Sequence, residues 1–245
     1  VYHLAGQASV GASWDRPGDT FEVNTVGTVN VLDAARRLAS PPRILVVSSA
    51  EVYGHVQPDQ LPITESMPLR PASPYAGSKA AAEVAVRQAA VGYDLGVVVA
   101  RPFNHIGPGQ APSFVVSALA KRIVEAQRSG AAAIEMGNPS PRRDLTDVRD
   151  VVRAYRLLVE RGANGEAYNV CTGVDVRIGD LAARLIELAG GGLELVTGAI
   201  EMRAVDIPVL RGDPARLEAA TGWRPAIALD ETLAAVLDYW RDQLG

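Results

Sequence analysis

The chain has 245 residues, 48% of them hydrophobic, and a formal net charge of −4. This length allows one large domain with a sizeable core, and the mildly acidic balance argues against a nucleic-acid or membrane partner. The single cysteine excludes an intrachain disulfide and indicates a reducing, cytoplasmic environment, and the three histidines lack metal-ligand spacing, so we expect no metal site.

The first part of the chain alternates predicted strands with predicted helices. Short apolar, β-branched runs predict buried strands at residues 1–5, Ile44–Val47 and residues 95–100. Helices are predicted over residues 21–39, with Thr20 as the N-cap, and over residues 75–90, whereas residues 7–19 and 101–109 are predicted to be loops. Strands separated by helices of this length indicate βαβ units, so we expect an α/β fold with a Rossmann-like, doubly wound parallel sheet.

The second half interleaves helices with shorter strands and longer loops. Helices are predicted over residues 113–128, 147–160, Ile178–Leu188, 214–220 and Leu229–Leu244. Strands are predicted over Ala133–Met136 and residues 166–170, with a polar loop over residues 137–143. We therefore divide the chain into a nucleotide-cofactor domain, residues 1–110, and a smaller substrate lobe, residues 111–245, some of whose segments return to the sheet.

Polar side chains collect where the predicted strands end. Ser49 and Asn104 follow two of the strands, and Tyr75 begins the helix between them. Ligands of parallel sheets bind at the carboxyl ends of the strands, so these three residues are expected to share one rim. Lys79 lies one helical turn after Tyr75, and an ammonium near a phenol lowers the phenol's pKa toward the range where it exchanges protons. A Tyr and Lys four apart also occur by chance in many helices.

Eight segments support a catalytic interpretation: HLAGQ at residues 3–7, NTVGT at 24–28, SSAEVYG at 48–54, YAGSK at 75–79, RPFN at 101–104, RDLTDVRD at 143–150, YNV at 168–170 and RAVDIP at 203–208. Together they resemble the extended short-chain dehydrogenase/reductases of the NAD-dependent epimerase/dehydratase family, which act on nucleotide sugars. Within that family, residues 104–110, 143–150 and 168–173 look most like the GDP-6-deoxy-D-mannose reductases, which reduce GDP-4-keto-6-deoxy-D-mannose to GDP-D-rhamnose with NAD(P)H. The related GDP-mannose 4,6-dehydratases usually carry a basic stretch where this chain has GPGQ at 107–110.

The resemblance implies catalytic roles for four residues. Tyr75 would be the general acid that protonates the 4-keto oxygen, Lys79 would lower its pKa and hold the nicotinamide ribose, and Ser49 would hydrogen-bond the same oxygen. Glu51 occupies the position of a Glu that removes a C5 proton in related dehydratases. Reductases also carry a Glu there, so Glu51 does not decide between the two reactions, and a simple polar contact is an equal alternative.

The resemblance also implies binding residues. The cofactor, NADP or NAD, is expected to contact Ala5, Gly6, Gln7, Asn24, Ser48, Tyr75, Lys79, Arg101 and Pro102. The nucleotide-diphosphate sugar, expected to be GDP-linked, is assigned to Asn104, Arg143 and Arg203, because guanidinium groups match phosphate oxygens. The alternatives are a capping role for Asn24 and a surface salt bridge from Arg143 to Asp144 or Asp147. His105 and Cys171 are expected to be structural.

One feature of the family is missing from this sequence. Family members begin with a strand, a Gly-x-x-Gly-x-x-Gly turn and a helix that hold the cofactor's pyrophosphate, and we expect about 60 residues before Val1 to supply them. Three functions therefore stay open: a reductase, a nucleotide-sugar dehydratase or epimerase, and a truncated, non-catalytic binding member. The resemblance also implies a homodimer formed through the helices at residues 21–39 and 75–90.

Overall fold

A parallel sheet organises the first half of the chain, as the sequence predicts. The computed structural model describes residues 1–198 and 207–245. Its strands are β1 (Tyr2–His3), β2 (Ile44–Val47), β3 (Val97–Pro102), β4 (Asn104–Ile106), β5 (Ala133–Met136), β6 (Arg142–Asp147), β7 (Ala167–Val170), β8 (Asp175–Arg177), β9 (Glu194–Thr197) and β10 (Val209–Leu210). Its helices are α1 (Val10–Asp15), α2 (Pro17–Phe21), α3 (Gly27–Arg36), α4 (Pro74–Gly92), α5 (Val115–Ser129), α6 (Val148–Arg161), α7 (Ile178–Leu188), α8 (Ala215–Thr221) and α9 (Leu229–Leu244).

The main sheet has the order β1-β2-β3-β7, and all its pairings are parallel. Successive strand residues point to opposite faces, so β2 packs against helices on both sides. The predicted burial of the first strand is wrong, because β1 lies at the edge of the sheet and its Tyr2 is 47% exposed. Ile44 and Val46 join α3 and α4 in one core cluster, whereas Leu45 joins α6 and α8 in another. Strands covered on both faces need continuous apolar sequence, which explains the unbroken run ILVV in β2. The fold is thus α/β with a parallel sheet.

The second half returns one strand, β7, to the main sheet and builds smaller sheets of its own. Strand β6 pairs in parallel with β4 and β10 and antiparallel with β8, and β5 pairs with β9. Helices α5, α7 and α9 pack around these sheets in a third core cluster. Because β4 begins just after β3 ends, the second sheet starts at the carboxyl edge of the main sheet. The division at residue 110 remains a prediction.

Three predicted loops contain regular structure. The segment 7–19 holds α1, whose N-cap Ser9 accepts a hydrogen bond from Ala12 N (3.1 Å), and α2, which begins with Pro17. Pro17 is compatible with a helix here, because its missing N–H is harmless in the first turn. The predicted loop at 101–109 contributes two residues to β3 and contains β4, and the predicted loop at 137–143 contains the start of β6.

The predicted helix at residues 21–39 is correct in place but not uniform. Thr20 is not its N-cap: it lies within α2, and its hydroxyl donates to Arg16 O (2.9 Å). The chain then makes one π-helical turn, Glu22–Val26, before α3 begins, and α3 ends at Arg36. Such turns insert an extra residue into a helix and often occur at functional sites. Here the turn contains Asn24.

Candidate active site

The Ser49 hydroxyl is held at the carboxyl end of β2. Ser49 is extended (φ −161°, ψ 150°) and begins the short 3₁₀ turn Ala50–Tyr53, and its Oγ accepts a hydrogen bond from Glu51 N (3.2 Å). Extended backbone at the cap lets the side-chain oxygen fold back toward the first free N–H groups of the turn. The residue is buried, so its hydroxyl is fixed rather than free in solvent.

Helix α4 brings two further side chains to the same edge. Its N-cap Ser73 accepts from Ala76 N (3.1 Å) and Pro74 follows, which fixes the start of the helix immediately before Tyr75. The phenol of Tyr75 lies within hydrogen-bonding reach of the Ser49 hydroxyl. Lys79, one turn later, donates from Nζ to Val47 O (2.9 Å), and its Nζ is 6.0 Å from the centre of the Tyr75 ring. The expected common rim for Ser49 and Tyr75 is therefore present.

The acid–base properties differ from the expectation in one respect. Burial raises the pKa of Tyr75, the hydrogen bond from Ser49 opposes that rise, and the Glu51 carboxylate adds to it. The predicted lowering of the phenol's pKa by Lys79 is thus wrong for this structure, because desolvation outweighs the distant ammonium. Burial also lowers the pKa of Lys79 to about 8. At neutral pH the site holds a protonated phenol beside a cation, an arrangement that can donate a proton.

Gly6, Gln7 and Asn24 form a close-packed corner beside Lys79. Asn24 accepts from Gln7 N (2.8 Å) and donates to Gln7 O (3.1 Å) and to the hydroxyl of Ser78 (2.9 Å), so it joins the backbone at Gln7 to a side chain of α4. A Cβ on Gly6 would lie 2.9 Å from Asn24 Oδ1 and 3.3 Å from Lys79 Nζ. The alternative capping role of Asn24 is wrong, because the residue lies inside the π-helical turn and its side chain bonds to Gln7 and Ser78. Its place beside the cofactor remains a prediction.

The corner has the features expected of a nucleotide site. Gln7 Oε1 is buried and has no hydrogen-bond partner among the described residues. A buried acceptor of this kind normally has a partner, and a ligand hydroxyl or amide would satisfy it. Ala5, next to Gly6, is exposed at this edge. The open backbone, the unpartnered amide oxygen and the nearby ammonium suit the ribose and carboxamide groups of a nicotinamide cofactor.

Ser48 and Arg101 have their side chains turned toward α4. The Ser48 hydroxyl donates to the carboxylate of Glu83, and Arg101 forms a buried ion pair with the same carboxylate (2.6 Å). Pro102 is buried at the end of β3. The predicted contacts of these three residues with the cofactor remain predictions.

Two of the three residues assigned to the nucleotide sugar lie on the second sheet. Asn104 is exposed at the start of β4. Arg143 is partly buried in β6, and its Nη1 donates to Ile207 O (2.7 Å). Arg203 lies outside the described residues. The two neighbouring carboxylates have other partners: Asp144 accepts from Thr172 N (2.8 Å), and Asp147 pairs with Arg149 (2.8 Å).

Two residues expected to be structural are placed accordingly. His105 Nδ1 lies 3.3 Å from Phe103 O, and burial lowers the pKa of its imidazole. Cys171 is fully buried in the core, and burial raises the pKa of its thiol well above the usual value. Over residues 1–198 and 207–245, no cluster of His, Cys, Asp or Glu is arranged to hold a metal ion, and no helix is both long and apolar enough to cross a membrane.

Known proteins resemble this chain in sequence. The model of the family described as GDP-mannose 4,6 dehydratase matches residues 1–236. The chain is 39% identical over 245 residues to the GDP-6-deoxy-D-mannose reductase of Pseudomonas aeruginosa, covering 100% of this chain and 81% of that protein.

Two solved structures extend the likeness to the fold. The structure of RMD from Pseudomonas aeruginosa complexed with NADPH superposes with a TM-score of 0.93 at 40% identity, over 99% of this chain and 81% of the other. The UDP-glucose 4-epimerase of Thermus thermophilus in complex with NAD gives a TM-score of 0.87 at 31% identity, over 98% and 77%.

Proposed function

The chain belongs to the extended short-chain dehydrogenase/reductases of the NAD-dependent epimerase/dehydratase family, and we propose that it reduces the 4-keto group of a GDP-4-keto-6-deoxy-hexose. The product from GDP-4-keto-6-deoxy-D-mannose is GDP-D-rhamnose. The observation that carries the proposal is the meeting of the Ser49 hydroxyl with the Tyr75 phenol beside Lys79. The 39% identity to a reductase of this substrate favours reduction over the other reactions of the family.

The cofactor in this proposal is NADPH or NADH. When bound, the reduced nicotinamide supplies the hydride that is added to the keto carbon. Gly6, with no side chain, leaves room for Asn24 and Lys79 to lie against it, and Asn24 keeps the neighbouring backbone in place through its bonds to Gln7. The amide oxygen of Gln7 and the ammonium of Lys79 are the polar groups that would hold it.

The chain's own contribution to the reaction is the proton. A phenol whose pKa is raised by burial stays protonated at neutral pH, so Tyr75 can donate its proton as negative charge develops on the keto oxygen. The Ser49 hydroxyl, already at the phenol, would donate a hydrogen bond to the same oxygen. Lys79, positively charged below about pH 8, stabilises the phenolate that remains. The net change is a carbonyl reduced to a secondary alcohol.

The sugar diphosphate is assigned to the second sheet. Arg143 would contact the phosphates, because a guanidinium group matches phosphate oxygens. In the structure its Nη1 donates to Ile207 O. Asn104 is exposed at the start of β4, where the second sheet begins, and would contact the substrate there. Arg203 is retained as a second phosphate ligand on the sequence pattern alone. The GDP portion of the substrate is proposed from the similarity to the reductase.

A second reaction is favoured by one observation. The Glu51 carboxylate is close enough to Tyr75 to raise its pKa, and a carboxylate beside the sugar ring is what a 4,6-dehydratase uses to take the C5 proton. The alternative function is therefore a nucleotide-sugar dehydratase or epimerase, such as a GDP-mannose 4,6-dehydratase. A truncated, nucleotide-sugar-binding member is the further alternative.

One assay separates these functions. The purified chain is incubated with NADPH or NADH and GDP-4-keto-6-deoxy-D-mannose, and absorbance at 340 nm reports oxidation of the cofactor. Stoichiometric oxidation with formation of the reduced sugar supports the proposal. Turnover of GDP-mannose without net oxidation of cofactor overturns it in favour of the dehydratase, and calorimetry that finds sugar-nucleotide binding without turnover leaves the binding member.

The proposal also includes the architecture and assembly expected from the family. The main sheet would belong to a Rossmann-like, doubly wound domain, the second half to a substrate lobe, and the location would be cytoplasmic. A homodimer would form through α3 and α4. Val84 and Val91, seven residues apart on α4, are 69% and 81% exposed, and Phe21 and Val29 expose apolar surface on the neighbouring helices. Exposed apolar side chains on adjacent helices are typical of an interface.

A further inference from the structure

A third polar side chain, Glu83, continues the stripe formed by Tyr75 and Lys79 on α4. The three residues are four apart, so they share one face of the helix. Each contacts a different one of three consecutive residues at the end of β2: Lys79 binds the carbonyl of Val47, Glu83 binds the hydroxyl of Ser48, and Tyr75 reaches the hydroxyl of Ser49. The helix and the strand end are therefore aligned by three polar contacts in register.

The Glu83 carboxylate is itself held by Arg101 from the adjacent strand, β3. Arg101 Nε donates to both carboxylate oxygens (3.0 and 3.1 Å), and Nη2 donates to Oε2 (2.6 Å). The side chains of Glu83 and Arg101 are only 8% and 9% exposed. Removing two charges from water is costly, and such a pair gives little net stability compared with apolar residues of similar volume. Its directional hydrogen bonds, however, fix the relative positions of helix and strand.

Arg101 also reaches the far end of the turn that carries Ser49 and Glu51. Its Nη1 donates to the hydroxyl of Tyr53 (2.8 Å), which in turn donates to Asn169 Oδ1 in β7 (2.7 Å). The turn is thus tied at both ends to one buried ion pair, through Ser48 before it and through Tyr53 at its close. These side chains are all buried.

We propose that the Glu83–Arg101 ion pair is a positioning device that sets the Ser49 hydroxyl against the Tyr75 phenol. The pair acts through Ser48 and Tyr53 and touches neither sugar nor cofactor, which gives Ser48 and Arg101 a different role from the cofactor contacts expected from the sequence. The inference rests on the proposed reductase function and deepens it. Catalytic groups displaced by about 1 Å commonly lose activity about a hundredfold, so such a device governs kcat rather than binding.

The test uses Ser48→Ala, which removes one hydroxyl and leaves the ion pair, and Glu83→Gln, which removes the charge at constant size. We expect kcat for reduction to fall ten- to a hundredfold, while KM for the sugar nucleotide and Kd for NADPH change less than twofold. Asp230→Asn is the matched control, because it removes one carboxylate from an exposed ion pair with Arg184 (2.7 Å) and leaves kcat unchanged. If Glu83→Gln does not fold, Ser48→Ala decides alone.

A second measurement does not depend on turnover. In protein labelled with ¹³C at tyrosine Cζ, the Tyr75 signal is identified by its loss in Tyr75→Phe. Because the Ser49 hydrogen bond opposes the raised pKa of Tyr75, both variants should shift this signal and raise the pKa further, and Asp230→Asn should not. If the wild-type chain does not reduce the keto sugar, the proposed function fails and this signal still decides the positioning role.

Two results would overturn the inference. One is an unchanged kcat and an unchanged Tyr75 signal in folded Ser48→Ala and Glu83→Gln. The other is a loss found entirely in NADPH affinity with kcat retained, which would return Ser48 and Arg101 to direct cofactor contact.

Discussion

The Tyr75 phenol and the Ser49 hydroxyl lie within hydrogen-bonding reach of each other, although one begins a helix and the other ends a strand. The two side chains meet because α4 starts beside the carboxyl end of β2. A keto oxygen placed between them would receive a proton from one and a hydrogen bond from the other. This pairing is the geometric basis of the proposed proton transfer.

Removing the phenol's hydroxyl tests the proton donor. Tyr75→Phe should lower kcat for reduction by about 10³-fold, within the range typical of losing general acid catalysis. Binding of the GDP-sugar should change less than about threefold, because Arg143, an assigned phosphate ligand, lies on the other sheet. Absorbance at 340 nm gives kcat and isothermal calorimetry gives Kd. Near-normal turnover in Tyr75→Phe would remove this residue from the mechanism.

The pH dependence of reduction reports on Lys79. Its pKa is lowered to about 8, so it is charged at pH 7 and loses its charge as the pH rises through that value. Tyr75, whose pKa is raised, stays protonated over the same range. We therefore expect kcat to fall above about pH 8, roughly tenfold per pH unit. Lys79→Arg, whose guanidinium stays charged, should move this fall to higher pH, whereas a flat profile to pH 10 in both proteins would exclude a role for the charge.

Burial of Lys79 should lower the free energy of unfolding of the protein. The pKa of Lys79 is about 8 in the folded protein and 10.5 ordinarily, so burying the charged amine lowers the free energy of unfolding by roughly 3 kcal/mol at neutral pH. The hydrogen bond to Val47 O offsets about 1 kcal/mol of that loss. Lys79→Met should thus raise the free energy of unfolding by about 2 kcal/mol at pH 7. Between pH 8 and 10.5 the unfolded wild-type chain binds more protons than the folded one, so the wild type becomes more stable as the pH rises. The difference in free energy of unfolding between Lys79→Met and the wild type therefore shrinks. Urea unfolding at pH 7 and 9.5 measures the free energy of unfolding of both proteins. If Lys79→Met were more stable than the wild type by the same amount at both pH values, this account would be contradicted.

Elements with a clear apolar pattern are predicted best from the sequence. The bounds of β2, β5, α7 and α9 match the predicted ones: β2 is a continuous apolar run with few alternatives to a central strand, and the two helices are amphipathic. Strand β7 begins one residue late. Strands β8, β9 and β10 are missed, since two to four residues carry little periodic signal. Helix α2 is missed as well, although Pro is common as a first helical residue.

The meeting of Ser49, Tyr75 and Lys79 was predictable from the sequence, but the electrostatics of these residues were not. Helical spacing alone places Tyr75 and Lys79 together, and strand ends alone bring Ser49 to them. Spacing does not reveal the depth of burial, which is why the direction of the Tyr75 pKa was wrong. Glu83 was overlooked, although its spacing of four from Lys79 and the basic residue Arg101 in the next strand were both readable signals.

The exposed apolar face of α4 makes the proposed homodimer testable by charge. Val84→Glu and Val91→Glu each place a carboxylate on that face, where burial against the same residue of a second copy would be unfavourable by both desolvation and repulsion. We expect each variant to sediment as a monomer under conditions in which the wild type is a dimer. Val152→Glu is the matched control, because Val152 is 60% exposed on α6, away from the proposed interface, and should leave the mass unchanged. Sedimentation velocity at micromolar concentration gives the masses. If the Val84 and Val91 variants stay dimeric, or if the control dissociates as readily as they do, the interface does not lie on α4.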